Sequence, residues 1–284
     1  MIAFYAVKLF YKSGIPENVL QFMPGSGHVV GNGLTVHPKI RGVVFTGSTN
    51  VAQMINQNLS SRGLISHDSD AILIAETGGQ NAMIVDSSAL PEQVVADVLT
   101  SGFDSAGQRC SALRVLYLQA DVADLILSML KGAMDDLRVG DPANLATDIG
   151  PVIDSNARQK LLLHIENMKK CARMIYQTPL GRECDLGSYV APTLIEIGSI
   201  SELTQEVFGP VVHVIRFANE DLDRVINEIN STGFGLTQGL HSRIEATAAN
   251  VYQNIKAGNI YINRNMVGAV VGVQPFGGEG LSGT

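Results

Sequence analysis

Ile72-Leu73-Ile74-Ala75-Glu76-Thr77-Gly78-Gly79-Gln80-Asn81 is an apolar run that ends on a carboxylate and turns through two glycines. About 34 residues later comes Ser105-Ala106-Gly107-Gln108-Arg109-Cys110-Ser111-Ala112, a cysteine in a loop of small residues. A thiolate is a strong nucleophile toward a carbonyl carbon, and a nearby carboxylate can take a proton from water. Cys110 and Glu76 are therefore candidate catalytic partners. The plain alternative for Cys110 is a buried structural cysteine, the usual fate of a free thiol.

Around this stretch, short β-rich runs alternate with helical ones. Gly42 to Phe45, Ala71 to Ala75 and Asn81 to Asp86 read as buried strands, with a helix over Val51 to Leu59. Pro91 to Phe103 is a helix with Pro91 in its first turn and Val94, Val95, Val98 and Leu99 facing inward. Strands follow at Arg114 to Gln119, Tyr189 to Leu194, Val211 to Phe217, Gly239 to Ser242 and Gly258 to Asn263. Between them lie helices at Val122 to Leu137, Ser155 to Ala172, Asp221 to Asn230 and Ile244 to Ala257. At the start, Ala3 to Ser13 reads as an amphipathic helix with Phe4, Val7 and Phe10 on one face, stopped by Gly14 and Pro16, and Val19 to Phe22 as a short strand. The alternation specifies an α/β fold with mostly parallel sheets. Gly25, Gly27 and Gly31 are not spaced as G-x-G-x-x-G, and a turn before a helix accounts for them. The turn Thr46-Gly47-Ser48-Thr49 joins a strand to a helix, which suits a phosphate and equally suits a simple N-cap at Ser48 or Thr49.

Composition narrows the class. The 284 residues are 45% hydrophobic, enough for one large domain or two smaller ones with a real core. The net charge of -7 argues against nucleic acid as a partner. No apolar run has the length of a membrane span, and the start lacks the basic flank and long apolar region of a signal peptide. Three cysteines without a C-x-x-C, and histidines without an i, i+4 pair, predict no metal site. The odd, widely spaced cysteines fit a reducing cytoplasm.

Five segments in order carry a resemblance: Phe45-Thr46-Gly47-Ser48-Thr49, Glu76-Thr77-Gly78-Gly79, Gly107-Gln108-Arg109-Cys110, Glu206-Val207-Phe208-Gly209-Pro210 and Pro275-Phe276-Gly277-Gly278. Together they resemble the aldehyde dehydrogenase superfamily over essentially the whole chain. Ser101 to Arg114, Asp148 to Asp154 and Asn263 to Gly272 are most similar to its L-glutamate γ-semialdehyde (1-pyrroline-5-carboxylate) dehydrogenase branch, the module of the bifunctional proline utilization A family. The resemblance implies an aldehyde dehydrogenase-like α/β fold, with part of a Rossmann-type cofactor domain over residues 1–78 and a catalytic domain over 79–284. It implies NAD as cofactor and a small aldehyde as substrate. Cys110 matches the nucleophile and Glu76 the base that activates water. Thr46, Gly47, Ser48 and Thr49 match the turn under the cofactor pyrophosphate. Glu206, with Phe208 beside it, matches the carboxylate on the nicotinamide ribose. Ser111, Gly268 and Ala269 match positions that hold a substrate carboxylate. Phe103 and Phe276 would pack on the aliphatic part of the substrate, or else belong to the core.

The chain also departs from that pattern. By the resemblance, the family's long N-terminal part, with the asparagine that completes the oxyanion hole and the lysine that binds the adenosine ribose, would precede Met1. The family's C-terminal strand, which commonly joins subunits, would follow Thr284. The expectation is a fragment of a longer protein, inefficient in NAD-dependent turnover alone, with homo-oligomer formation left open. Oxidation of a different semialdehyde, a non-redox thiol esterase and a silent assembly element are the competing readings.

Overall fold

The computed structural model describes residues 2–66 and 71–283. They fall into two units, one of residues up to Phe45 with Asn50–Ala75, the other of Thr46–Thr49 with Glu76 onward.

The first unit is drawn from α1 (Ile2–Lys12), α2 (Asn32–Val36), β1 (Gly42–Thr46), α3 (Thr49–Ser66) and β2 (Ile72–Glu76). A π-helical turn at Gly27–Gly31 leads into α2, so the glycines there are indeed turn and helix. α1 stops before Gly14, as its sequence predicts, but Phe4 and Phe10 on its apolar face are exposed. No strand forms at Val19 to Phe22. The N–H groups of Val19 and Leu20 turn back onto the Pro16 carbonyl at 3.0 and 3.4 Å, which is a turn. β1 and β2 pair in a two-stranded sheet. Neither strand is buried as its composition predicts: Val44 is 81% and Ile72 67% exposed. Branched apolar residues select the extended backbone, whereas burial depends on what packs against the faces.

The second unit holds β3 (Ala82–Val85), α4 (Pro91–Phe103), β4 (Val115–Gln119), α5 (Ala120–Asp135), α6 (Ser155–Met168), β5 (Met174–Gln177), β6 (Thr193–Glu196), β7 (Val211–Phe217), α7 (Leu222–Ser231), β8 (Phe234–Gly235), β9 (Thr237–His241), α8 (Glu245–Asn254), β10 (Asn259–Ile262) and β11 (Glu279–Gly280). Seven of the strands form one sheet in the order β10-β9-β3-β4-β7-β6-β5. All pairings are parallel except β5 with β6. β3 and β4 are buried along their whole length, as central strands covered on both faces must be. α5 buries Ala123, Ile126, Leu127, Leu130 and Met134, an i, i+3, i+4 stripe. Asp154 caps α6 by accepting the Ala157 N–H at 2.7 Å.

Several elements differ from the sequence reading here: β6 begins at Thr193 rather than Tyr189, and the two-residue strands β8 and β11 were not expected. α6 ends at Met168 rather than running to Ala172, because the Arg173 N–H already bonds the Glu196 carbonyl and the chain has turned into the edge strand β5. That strand, four residues long, was not expected, and it takes the sheet edge.

The topology fixes where chemistry can occur. Glu76 to Asn81 lead into β3, Cys110 to Arg114 into β4, Glu206 to Pro210 into β7 and Leu236 into β9. All these strands are parallel, so the segments gather at the amino edge of the sheet. Open α/β sheets usually bind ligands at the carboxyl edge. Here the motif-bearing loops converge on the opposite one.

Candidate active site

The cysteine loop is strained. After α4, Ser105 and Ala106 both take left-handed backbone angles, φ 57° and 54°, and Gly107 follows at φ +64°. Non-glycine residues in this region each cost about 1 kcal/mol or more and persist only where the surroundings hold them. Gly107 cannot carry a side chain, since a Cβ would lie 2.2 Å from the Gly209 carbonyl oxygen.

Two side chains hold the loop, and motif reading gave neither a role. Arg114 is fully buried. Its Nη1 donates to the carbonyls of Gly107 at 2.7 Å and Gly209 at 3.3 Å, and its Nη2 to the Arg109 carbonyl at 3.0 Å. Nη2 also pairs with Glu206 Oε1 at 3.2 Å, and the guanidinium carbon lies 5.0 Å from the centre of the Phe208 ring. Asn81 donates its amide to the Cys110 and Ala112 carbonyls at 2.7 and 2.9 Å and accepts the Thr237 N–H at 3.2 Å. The signal for both was a long polar side chain at the mouth of an otherwise apolar buried strand, where it must find several partners.

Cys110 is half-buried. Burial pushes its thiol pKa up; the N–H groups of Ser111 and Cys110 oppose this, and the charges of Glu206 and Glu76 add to it. The structure therefore brings the thiol and both carboxylates into one electrostatic neighbourhood. Glu76 is itself raised by burial, against the hydrogen bond from the Gly278 N–H. Its Oε2 is buried with no hydrogen-bond partner among the described residues. Its backbone carbonyl accepts the Gly47 N–H at 3.1 Å, and Thr77 bonds Ser282 at 2.9 Å, so the strand end is fixed from both sides. Burial also raises Glu206, more than Arg114 and the Gly79 N–H lower it. Glu206 packs so closely on Gly78 that a Cβ there would sit 1.9 Å from Oε2.

The other expected residues divide. Thr46 ends β1, Gly47 and Ser48 form an exposed turn, and Thr49, which opens α3, donates to the Leu281 carbonyl at 3.2 Å. Phe208 and Phe276 are 45% and 40% exposed. The Pro275-to-Gly278 loop is pinned by Asn259, which donates to the Gly277 carbonyl at 2.9 Å. Ser111 is buried, and its carbonyl accepts the Thr237 hydroxyl at 3.2 Å. Gly268 takes a left-handed φ of +85° in an exposed loop, with Ala269 half-buried beside it. Phe103 corrects the expectation of a substrate-facing ring: it is 1% exposed and sits in the hydrophobic core at the end of α4. Among the described residues no group of three or more His, Cys, Asp or Glu is arranged to hold a metal ion, and no helix is long and apolar enough to cross a membrane.

A mostly parallel α/β sheet whose amino edge carries a strained cysteine loop and two half-buried carboxylates defines a cysteine-centred α/β domain. Comparison with known families places it further. The aldehyde dehydrogenase family model matches residues 1–284, and the chain belongs to that family. It is 55% identical to the bifunctional protein PutA of Klebsiella aerogenes, over 100% of this chain and 22% of that protein. A crystal structure of bifunctional proline utilization A superposes with a TM-score of 0.94 at 52% identity, over 100% of this chain and 28% of that one. The 1-pyrroline-5-carboxylate dehydrogenase from Thermus with bound NAD gives a TM-score of 0.89 at 34% identity, over 98% of this chain and 53% of that one. The chain thus spans between about a fifth and about half of the proteins it resembles.

Proposed function

We propose that this site oxidises L-glutamate γ-semialdehyde to L-glutamate in proline catabolism, with NAD as the oxidant, in the cytoplasm. The observation that carries the reading is Glu76 Oε2, a buried carboxylate oxygen without a partner, in the electrostatic neighbourhood of the Cys110 thiol. The relatives named for 1-pyrroline-5-carboxylate dehydrogenase and PutA support the substrate, and the Thermus enzyme with bound NAD supports the cofactor.

The thiolate of Cys110 adds to the aldehyde carbon and gives a thiohemiacetal. Bound NAD supplies the hydride acceptor that makes this a thioester. Glu76, whose pKa burial raises above the ordinary carboxylate value, takes a proton from water as the water oxygen attacks the thioester carbon. The carbon–sulfur bond breaks, the carboxylate leaves and Cys110 is restored. The residues present fit the cofactor. An exposed Gly47-Ser48 turn runs into Thr49 at the head of the 18-residue α3 and suits a pyrophosphate. Glu206, 18% exposed, keeps an edge for a ribose hydroxyl beside the accessible Phe208 ring. Ser111, Gly268 and Ala269 hold the substrate carboxylate, and Phe276 covers its aliphatic part. Residues 1–78 then supply the pyrophosphate turn and the base Glu76, and 79–284 the nucleophile, the ribose carboxylate and the substrate loop.

The test is NADH formation by the 284-residue chain across aldehydes with and without an α-amino acid end. A preference for L-glutamate γ-semialdehyde, lost in Cys110→Ala, is expected. An equal rate on a plain aliphatic aldehyde, or activity surviving Cys110→Ala, overturns the reading.

A further inference from the structure

The loop bearing Gly268 and Ala269 leaves β10 at Asn263, at the carboxyl edge of the sheet, yet the thiol lies at the amino edge. Something must lead the chain back. α4 runs between those edges, and three of its side chains, four residues apart, bond the backbone of this returning segment in order. Gln93 donates to the Asn263 carbonyl at 2.7 Å. The Asp97 carboxylate accepts the Asn265 N–H. Ser101 Oγ accepts the Met266 N–H at 3.0 Å. Residues at i, i+4 and i+8 share one helix face, so this is a polar stripe on which the segment is laid down.

The last member of the stripe has a second contact. The backbone carbonyl of Ser101, which is 1% exposed, accepts the Leu113 N–H at 2.9 Å. Leu113 is the end of the cysteine loop. One residue therefore fixes both the root of the loop that carries Gly268 and the exit of the loop that carries Cys110. Gly268 is two residues from Met266 and Cys110 three from Leu113, reaches of at most about 7 and 11 Å. Met266 is held at the same point by its side chain, whose sulfur sits 2.9 Å from where a Cβ on Gly239 would be.

We propose that Ser101 is a positioning residue that sets the substrate-carboxylate loop in register with Cys110, and so helps select an aldehyde carrying a carboxylate. The inference rests on the reading of Gly268 and Ala269 as that loop. Ser101 touches neither substrate nor cofactor; its hydroxyl acts through the Met266 N–H.

The experiment measures alkylation of Cys110 by iodoacetamide in the full chain, resolved from Cys171 and Cys184 by peptide mass, and its protection by L-glutamate. Ser101→Ala is expected to leave the unprotected rate within about twofold of wild type. The L-glutamate concentration for half-protection should rise about fivefold, the size of one net hydrogen bond. Gln93→Ala, at an exposed position, should raise it about twofold by the same route. Half-protection unchanged in Ser101→Ala overturns the inference while the carboxylate loop stands. A parallel loss of unprotected reactivity and protection also overturns it, since that is what a purely structural residue would give. Absence of protection in the wild type overturns the carboxylate-loop reading and this inference with it.

Discussion

Arg114→Met removes the charge at the centre of the cysteine loop while nearly keeping the volume. In the folded chain this guanidinium makes hydrogen bonds to the carbonyls of Gly107, Arg109 and Gly209 and pairs with Glu206. Each charged hydrogen bond contributes about 1.5–3 kcal/mol, but bonds sharing one group do not add. The better guide is the loss of one partner from a buried pair, about 3–5 kcal/mol. Arg114 is 1% exposed and Glu206 18%, so Glu206 can relieve part of the cost by taking a proton. The expected destabilisation is therefore about 3 kcal/mol, toward the lower end of that range. Glu206→Gln alone should cost less, because Gln still accepts from Arg114 and the N–H of Gly79. The double variant should fall short of the sum by about 1–2 kcal/mol, the energy of leaving a charge unpaired. Urea denaturation of the four proteins measures each value. A loss below about 1 kcal/mol in Arg114→Met, or strict additivity in the cycle, would refute the claim that this residue holds the loop.

Three further outcomes follow from the same geometry. Glu206→Gln removes a negative charge that disfavours the Cys110 thiolate, so the pH midpoint of Cys110 alkylation should move down; an upward or absent shift contradicts the electrostatic neighbourhood described. Gly107→Ala forces a Cβ to within 2.2 Å of the Gly209 carbonyl at φ +64°, and should destabilise by about 2–4 kcal/mol with loss of Cys110 reactivity; a wild-type melt would show that the loop is not confined there. His213 and His241 are held neutral, first by burial, with pKa values pushed down to about 3 and about 4. Their folded values lie below the ordinary value of about 6.5, so the unfolded chain takes up protons first as pH falls. The stability they contribute is complete above pH ~6.5 and is lost below it, by about 1.4 kcal/mol per pH unit for each. Denaturation midpoints falling from pH ~7 to ~5, with a shallower slope in His213→Gln, are expected, and a flat profile contradicts it.

Local signals carried much of the architecture. Pro91 in the first turn and the valines behind it placed α4 at its observed bounds, and apolar-rich runs marked β3, β4 and β7 as strands. What the sequence did not show depends on distant packing. β1 and β2 have core composition but open faces. β5 is four residues at a sheet edge, behind a helical pattern that runs on past its real end. Phe103 ends an amphipathic helix, and its position gives no sign of whether core or cleft receives the ring; it is core. Arg114 reads as an ordinary basic residue at a strand start, because its partners are carbonyls as far away in sequence as Gly209. The motifs singled out Cys110 and Glu76 as candidates, but the stripe on α4 appears only once β10 is placed.

The account depends on Cys110 accepting an acyl group and Glu76 releasing it through water. Intact-mass analysis of the chain mixed with p-nitrophenyl acetate tests both: the thiolate displaces p-nitrophenolate, and water then hydrolyses the acetyl thioester. The account predicts that Glu76→Gln accumulates acetyl on Cys110 while wild type clears it and Cys110→Ala carries none. Acetylation at another residue, or equal clearance in Glu76→Gln, would contradict it.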